Sequence, residues 1–426
     1  MNFTALNNQA FVIFLAISPI LVVLYLMVIR HWGGSKAGPM GWLTAVLISL
    51  LFFGANGKLL FVAWGKSALL ALFVLYIIWM ALLLYHTLNE AGVIAAIGRE
   101  MPGLAQDRPA QALLLAWVFG SFLQGATGFG VPAAVIAPLL VGLGFAANTA
   151  VVMALLGHAW AVTFGSLGSS FLSLIAATGV PGEQLATPVA LALAVANLGC
   201  GLGVLWLAGG KTAVRQRGLL MLVLALIMSL SQWGVAAAGL WTIAAFMAGL
   251  AGLVVIIAYL NWQSNGDGRI HPRRLAQAFL PYGLLVVVIV LGQVFLKNTL
   301  DFWVINPVFP EVRTRFDWST PAGHGRSLNV FGHAGALLIY VSLIAFAWYK
   351  WRGPLPQPDK AAPAYSGKTI LQKTLRGSIK PTIGIYSLVA MALTMQHAGM
   401  TQTLAELLSA NTGPLFPLLS PFIGAL

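Results

Sequence analysis

The sequence predicts an all-α polytopic membrane protein, with about 12 transmembrane helices and one partial span. Three observations carry that prediction. Hydrophobic residues make up 59% of the 426 residues and charged ones 8%, against roughly 25% charged in a soluble domain. Apolar runs of about 20 residues, enough to cross a hydrocarbon core of about 30 Å, recur along the whole chain. The runs are continuously apolar, unlike the alternating strands of about ten residues in an outer-membrane barrel. Backbone polar groups in lipid must then be satisfied inside each segment, which makes the segments helices. So few charges exclude a soluble enzyme. The single cysteine, Cys200, excludes an intramolecular disulfide and implies no metal cluster.

Spans are expected near 11–29, 40–57, 67–88, 110–127, 129–145, 149–166, 186–208, 218–234, 236–260, 275–296, 329–349 and 381–397, with an incomplete one from about 414. The start, Met-Asn-Phe-Thr, lacks the basic residues of a cleavable signal and reads as the approach to a retained first span. The net charge of +13 is a matter of topology, not of nucleic acid. With the N-terminus outside, 17 basic residues fall on the inner side, and Lys58, Lys66, Lys297, Arg313, Arg315 and Arg326 stay outside. That bias follows the positive-inside rule. Residues 297–328, with Trp303, Phe309 and Trp318, read as an external interfacial segment.

Three regions follow. Residues 1–349 form an N-terminal membrane region with a first repeat. Residues 350–380, basic and opening on Pro354, Pro356 and Pro358, form a cytoplasmic linker. Residues 381–426 begin a second, incomplete repeat. The repeat is visible in two places. Leu88-Asn89-Glu90-Ala91-Gly92-Val93 after the third span matches Met395-Gln396-His397-Ala398-Gly399-Met400 after the twelfth. Phe122-Leu123-Gln124-Gly125-Ala126 matches Phe422-Ile423-Gly424-Ala425. The topology sends the first copy inward and the second outward, the mark of inverted-repeat transporters.

The chemistry concentrates in Gly120-Ser121-Phe122-Leu123-Gln124-Gly125-Ala126-Thr127-Gly128-Phe129-Gly130-Val131-Pro132. Four glycines and a proline at membrane depth predict a broken helix. Such a break survives in a bilayer only if it is buried in protein or lines a wet cavity. Its free N–H groups and positive dipole end suit a small anion. Close packing at a helix crossing is the competing reading of the same glycines. Their order, G-x-x-G-x-G, is not a nucleotide-binding loop. The next span holds His158, the only ionisable group between Arg108 and Glu183. An ionisable residue in a span is a functional candidate, and histidine exchanges protons near neutral pH. A neutral histidine bonded inside the bundle is the alternative. Thr163 and Ser166 can donate to a carboxylate or bond back to their own helix. His86, Glu90 and His397 lie at span ends and read as solvated or interfacial. Gly249 and Gly252 read as packing positions.

The run FLQGATGFGVPAAVIAPLLVGLGF at 122–145, followed by GHAWAVTFGSLG at 157–168, resembles the bacterial L-lactate permease family, in a pattern covering nearly the whole chain. The resemblance implies a proton-coupled symporter for L-lactate and related 2-hydroxymonocarboxylates such as glycolate. It also implies an inverted-repeat fold with broken or re-entrant helices, in the cytoplasmic (inner) membrane. On that reading Gln124, Gly125, Thr127, Gly128, Phe129 and Gly130 shape the anion site, Thr163 and Ser166 bond the substrate, and His158 couples the proton. No cofactor or metal is called for, and the partners are a small monocarboxylate, protons and the lipid bilayer. Two departures matter. Family members often carry Glu where this chain has Gln124, which shifts the proton role to His158. They also continue past the position of Leu426, so a truncated form is expected. The alternatives are an inactive permease fragment and a cation/proton antiporter of a related fold; the antiporter calls for intramembrane Asp or Glu.

Overall fold

The computed structural model describes residues 9–100, 102–105, 107–128, 131–263, 272–356 and 365–412. The chain is an all-α polytopic membrane protein: eight of its described helices are long and apolar enough to cross a bilayer. Two compact units emerge, built from the described residues of Met1–Leu75, Val304–Leu328 and Gly377–Leu426, and of Tyr76–Trp303 and Asn329–Arg376.

In the first unit, Gly38 and Gly41 allow Gly34–Phe52 to press against neighbouring helices. A Cβ at Gly38 would overlap the Ser387 hydroxyl, and one at Gly41 would overlap Val23. The 304–328 segment is more ordered than an interfacial loop. Val308–Phe309 pairs antiparallel with Gly323–His324, and Val312–Arg313 with Ser319–Thr320. The Arg315 amide donates to the Gly54 carbonyl at 2.7 Å, and the Asn56 amide to the Arg313 carbonyl at 2.8 Å. The Arg326 guanidinium lies 4.1 Å over the Phe73 ring. Phe309 and Trp318 also pack within this unit: a Cβ at Gly65 would lie 2.7 Å from the Phe309 ring, and one at Gly399 2.9 Å from the Trp318 ring.

In the second unit, the 56-residue helical element Gly182–Ala237 covers the two spans expected at 186–208 and 218–234. It is a hairpin: the backbone leaves helical geometry at Gly209 and at Gly210 (φ +61°). Asn197 then reaches the Ala225 carbonyl at 3.2 Å, and a Cβ at Gly201 would lie 3.1 Å from Met221. In a straight helix those positions would be about 30 Å or more apart.

The spans expected at 129–145 and 149–166 need correction. Val131–Gly142 and Ala147–Ala159 have 12 and 13 residues. At 1.5 Å per residue each is about 20 Å long, too short to cross a core of about 30 Å. A turn at Gly144 (φ +86°) separates them, and a further helix, Gly165–Thr178, follows. Continuous hydrophobicity across these turns concealed the half-length helices. The 350–380 segment also differs from a simple linker: Gly367–His397 is one helix.

The first repeat motif has a shared geometry. Thr87 accepts from the Ala91 amide (3.1 Å), as Thr394 does from Ala398 (3.0 Å). Asn89 accepts from Gly92 (3.0 Å), as Gln396 does from Gly399 (3.1 Å). Gly92 and Gly399 have φ of +78° and +81°, a conformation open to glycine and costly for a β-carbon. Glu90 and His397 occupy the same position in the two copies. The second motif pair ends at 422–425, outside the described residues.

Candidate functional site

The site is built inside the second unit. Asp107 caps the segment by accepting from the Ala110 amide at 2.8 Å. The helix runs through a π-helical stretch, Leu113–Phe119, whose residues are all buried. It continues as Gly120–Ala126 and stops at Thr127 (φ −125°, ψ −46°) and Gly128 (φ +60°). The next helix begins at Val131, whose amide donates to the Gly128 carbonyl at 3.0 Å. The expected break is therefore present, and residues 120–128 are buried rather than facing lipid. Phe129 and Gly130 lie outside the described residues.

A second break faces the first. After Ala147–Ala159 the chain turns through 160–164, and then Ser166, Leu167 and Gly168 all adopt left-handed backbone geometry (φ 50°, 55° and 72°). For Ser166 and Leu167 this costs about 1–2 kcal/mol each, so the surrounding packing must impose it. Ser166 meets Gly128 so closely that a Cβ on Gly128 would overlap the Ser166 hydroxyl. The Gln124 side-chain nitrogen would lie 3.3 Å from that Cβ and 2.8 Å from one on Gly165. Gln124, Gly128, Gly165 and Ser166 thus form one buried cluster where both helices are interrupted.

The remaining candidates divide. Gly125 serves the crossing: a Cβ there would run into the Phe246 backbone, and reciprocally one on Gly249 into the Phe122 backbone. Gly252 packs against Met228 and Val118. The Thr127 hydroxyl donates to its own helix at the Leu123 carbonyl, 2.8 Å away. Thr163 is half-buried, and its carbonyl accepts from the Phe171 amide at 3.0 Å. His158 is buried beside Gly120 of the neighbouring helix, and Gly120 lies one turn before Gln124 on that helix's same face. Its Nδ1 lies 2.5 Å from the Ala154 carbonyl. His397 is buried rather than solvated, its Nδ1 2.8 Å from the Leu393 carbonyl. Glu90 pairs with Lys373 at 2.5 Å.

Sequence reasoning missed a polar chain beneath the cluster. The Trp160 indole donates to the Ser121 hydroxyl (2.9 Å), which donates to the Trp117 carbonyl (2.7 Å). The Trp117 indole donates to Asn197 (2.9 Å), whose amide donates to Ala225 and Ser229. Asn197 within an apolar run was the available signal. Asn197→Leu leaves the fully buried Trp117 N–H without an acceptor, and is expected to cost about 1–2 kcal/mol. A thermal melt of the purified protein that does not shift would overturn that assignment. The Gln232 amide and the Tyr282 hydroxyl are among the buried polar groups with no partner among the described residues. The Tyr282 ring sits 4.9 Å from Phe122, at the base of the broken helix.

Facing breaks in a buried core, flanked by long apolar helices, define a multi-pass integral membrane protein whose interior is built from discontinuous helices. The chain belongs to the L-lactate permease family, whose model matches residues 12–426. It is 26% identical to an L-lactate permease of Streptococcus iniae, over 97% of this chain and 85% of the relative. It is 23% identical to an L-lactate permease of Bacillus subtilis (strain 168), over 96% and 78%. A glycolate permease of Escherichia coli (strain K12) is 25% identical over the same shares. No solved structure matches the chain significantly.

Proposed function

We propose that this protein is a secondary transporter, not an enzyme, and imports L-lactate or a related 2-hydroxymonocarboxylate such as glycolate together with protons. Family membership and the names of the relatives support the substrate class. The observation that carries the mechanism is the meeting of two interrupted helices at Gly128 and Ser166. The substrate carboxylate binds where the break at Thr127 and Gly128 gives way to the amino end of the Val131–Gly142 helix, since a helix N-terminus favours negative charge. Gln124, Thr163 and Ser166 bond the carboxylate and the 2-hydroxyl, while Thr127, Gly128, Phe129 and Gly130 shape the pocket and Gly125 holds the helix that carries them against Phe246. At His158 the Nδ1–H donates to the Ala154 carbonyl, leaving Nε2 to take and release the proton. The protein lies in the cytoplasmic membrane with its N-terminus outside, and access alternates between the two sides.

Uptake of labelled L-lactate into vesicles containing the full chain tests this reading. Uptake should saturate, show counterflow and collapse with a proton ionophore. His158→Ala should lower proton-driven uptake more than about tenfold and spare lactate exchange. Uptake indifferent to the ionophore removes the coupling, and wild-type kinetics in the variant remove the role of His158.

A further inference from the structure

Beside the hairpin turn at Gly209–Gly210, an open groove of about 820 Å³ runs along the outside of the second unit. Leu156, Leu202, Trp206 and Leu207 wall it. Gly199 keeps its floor open, since a Cβ there would meet nothing within 4 Å. At the turn end the lining changes to Lys211 and Arg215, which are four residues apart and share a helix face. Both are exposed, and neither takes part in an ion pair among the described residues. The third cation of the turn, Arg217, is committed to Asp107 and also reaches Tyr259 and Gln263. The half-exposed Trp206 fits the preference of indole for the headgroup level.

An apolar channel that ends on two unneutralised cations, at the end of two membrane-crossing helices, complements an amphiphile with an anionic head. We propose that this groove is a binding site for an anionic phospholipid. The phosphate sits between Lys211 and Arg215, and an acyl chain lies along Leu156, Gly199, Leu202 and Trp206. Basic sites between transmembrane helices hold such headgroups through charge, while apolar contact retains the chain. A zwitterionic lipid offers the same chain but carries its own cation.

The experiment uses the full chain in detergent, titrated with phosphatidylglycerol or phosphatidylcholine of identical acyl chains and read by native mass spectrometry. Phosphatidylglycerol should bind preferentially and raise the melting temperature. Replacing both cations (Lys211→Gln with Arg215→Gln) should weaken phosphatidylglycerol about 30-fold, given the attraction each basic residue exerts near a membrane surface. A Cβ at Gly199 meets nothing within 4 Å, so Gly199→Leu should extend into the groove and lower occupancy by both lipids, with no loss of melting temperature in the lipid-free protein. Equal binding of the two lipids by the wild type, or phosphatidylglycerol binding unchanged in the double variant, overturns the site. Loss in the double variant alone, with Gly199→Leu binding normally, overturns the groove as the chain's seat.

Discussion

Gly125→Leu is expected to prevent assembly of the second unit. The side chain would enter the space held by the Phe246 backbone nitrogen and Cα and the Ala245 carbonyl carbon. Backbone cannot rotate aside as a side chain can, so one helix must move. Gly249 faces the Phe122 backbone with the same lack of room, and the crossing therefore cannot slide to relieve the strain. Phe122, Phe246, Phe279 and Tyr282 pack as an aromatic cluster around this crossing, with ring centroids 4.9–5.4 Å from that of Phe122. Overpacking a fitted core costs about 1–3 kcal/mol, and more where backbone is displaced. The variant should be inserted into the membrane yet run as aggregate on size exclusion in mild detergent. Gly199→Ala supplies the contrast, since open space surrounds that position. It should be neutral or stabilising by about 0.5–1 kcal/mol through helix propensity. A monodisperse, thermally stable Gly125→Leu protein would show that the close crossing is absent.

The second large effect is expected at the facing breaks. Gly128→Ala places a Cβ on the Ser166 hydroxyl at a left-handed φ of +60°, where a side chain already costs about 1–2 kcal/mol. Lactate uptake should fall below detection. The clash has a specific remedy. Ser166→Gly removes the obstructing hydroxyl and relaxes a residue that itself has φ +50°. The double variant should regain the monodispersity and melting temperature lost by Gly128→Ala. Its uptake should stay low, because Ser166 is also proposed to bond the substrate. Failure of Ser166→Gly to restore folding would separate the two breaks in space. Full restoration of uptake would keep the contact and remove Ser166 from the binding site.

Apolar runs longer than a bilayer's thickness can only be helices, so the class and most of the spans were legible in the sequence. The glycine-rich stretch at 120–130 was also legible as an interruption, because glycine and proline act on their own segment. What each glycine does there was not. Gly125 serves a crossing and Gly128 the break, and nothing local distinguishes them; their neighbours, Phe246 and Ser166, come from distant parts of the chain. The same limit hid the half-length helices. Composition reports how apolar a run is, not where its backbone turns back, and Gly144 looked like one more small residue in an apolar run.

Local chemistry thus determined the membrane class, the interruption near Gly128 and the singular position of His158 among apolar neighbours. Long-range packing alone decided that the 182–237 stretch folds on itself, and that Asn197 closes a polar chain with Trp117. It also decided that a left-handed turn at Ser166 is pressed into the gap left by Gly128. The physical reason is one of range. Backbone preference and hydrophobicity act over a few neighbouring residues, whereas steric exclusion and buried hydrogen bonds depend on which distant atoms arrive at the same place.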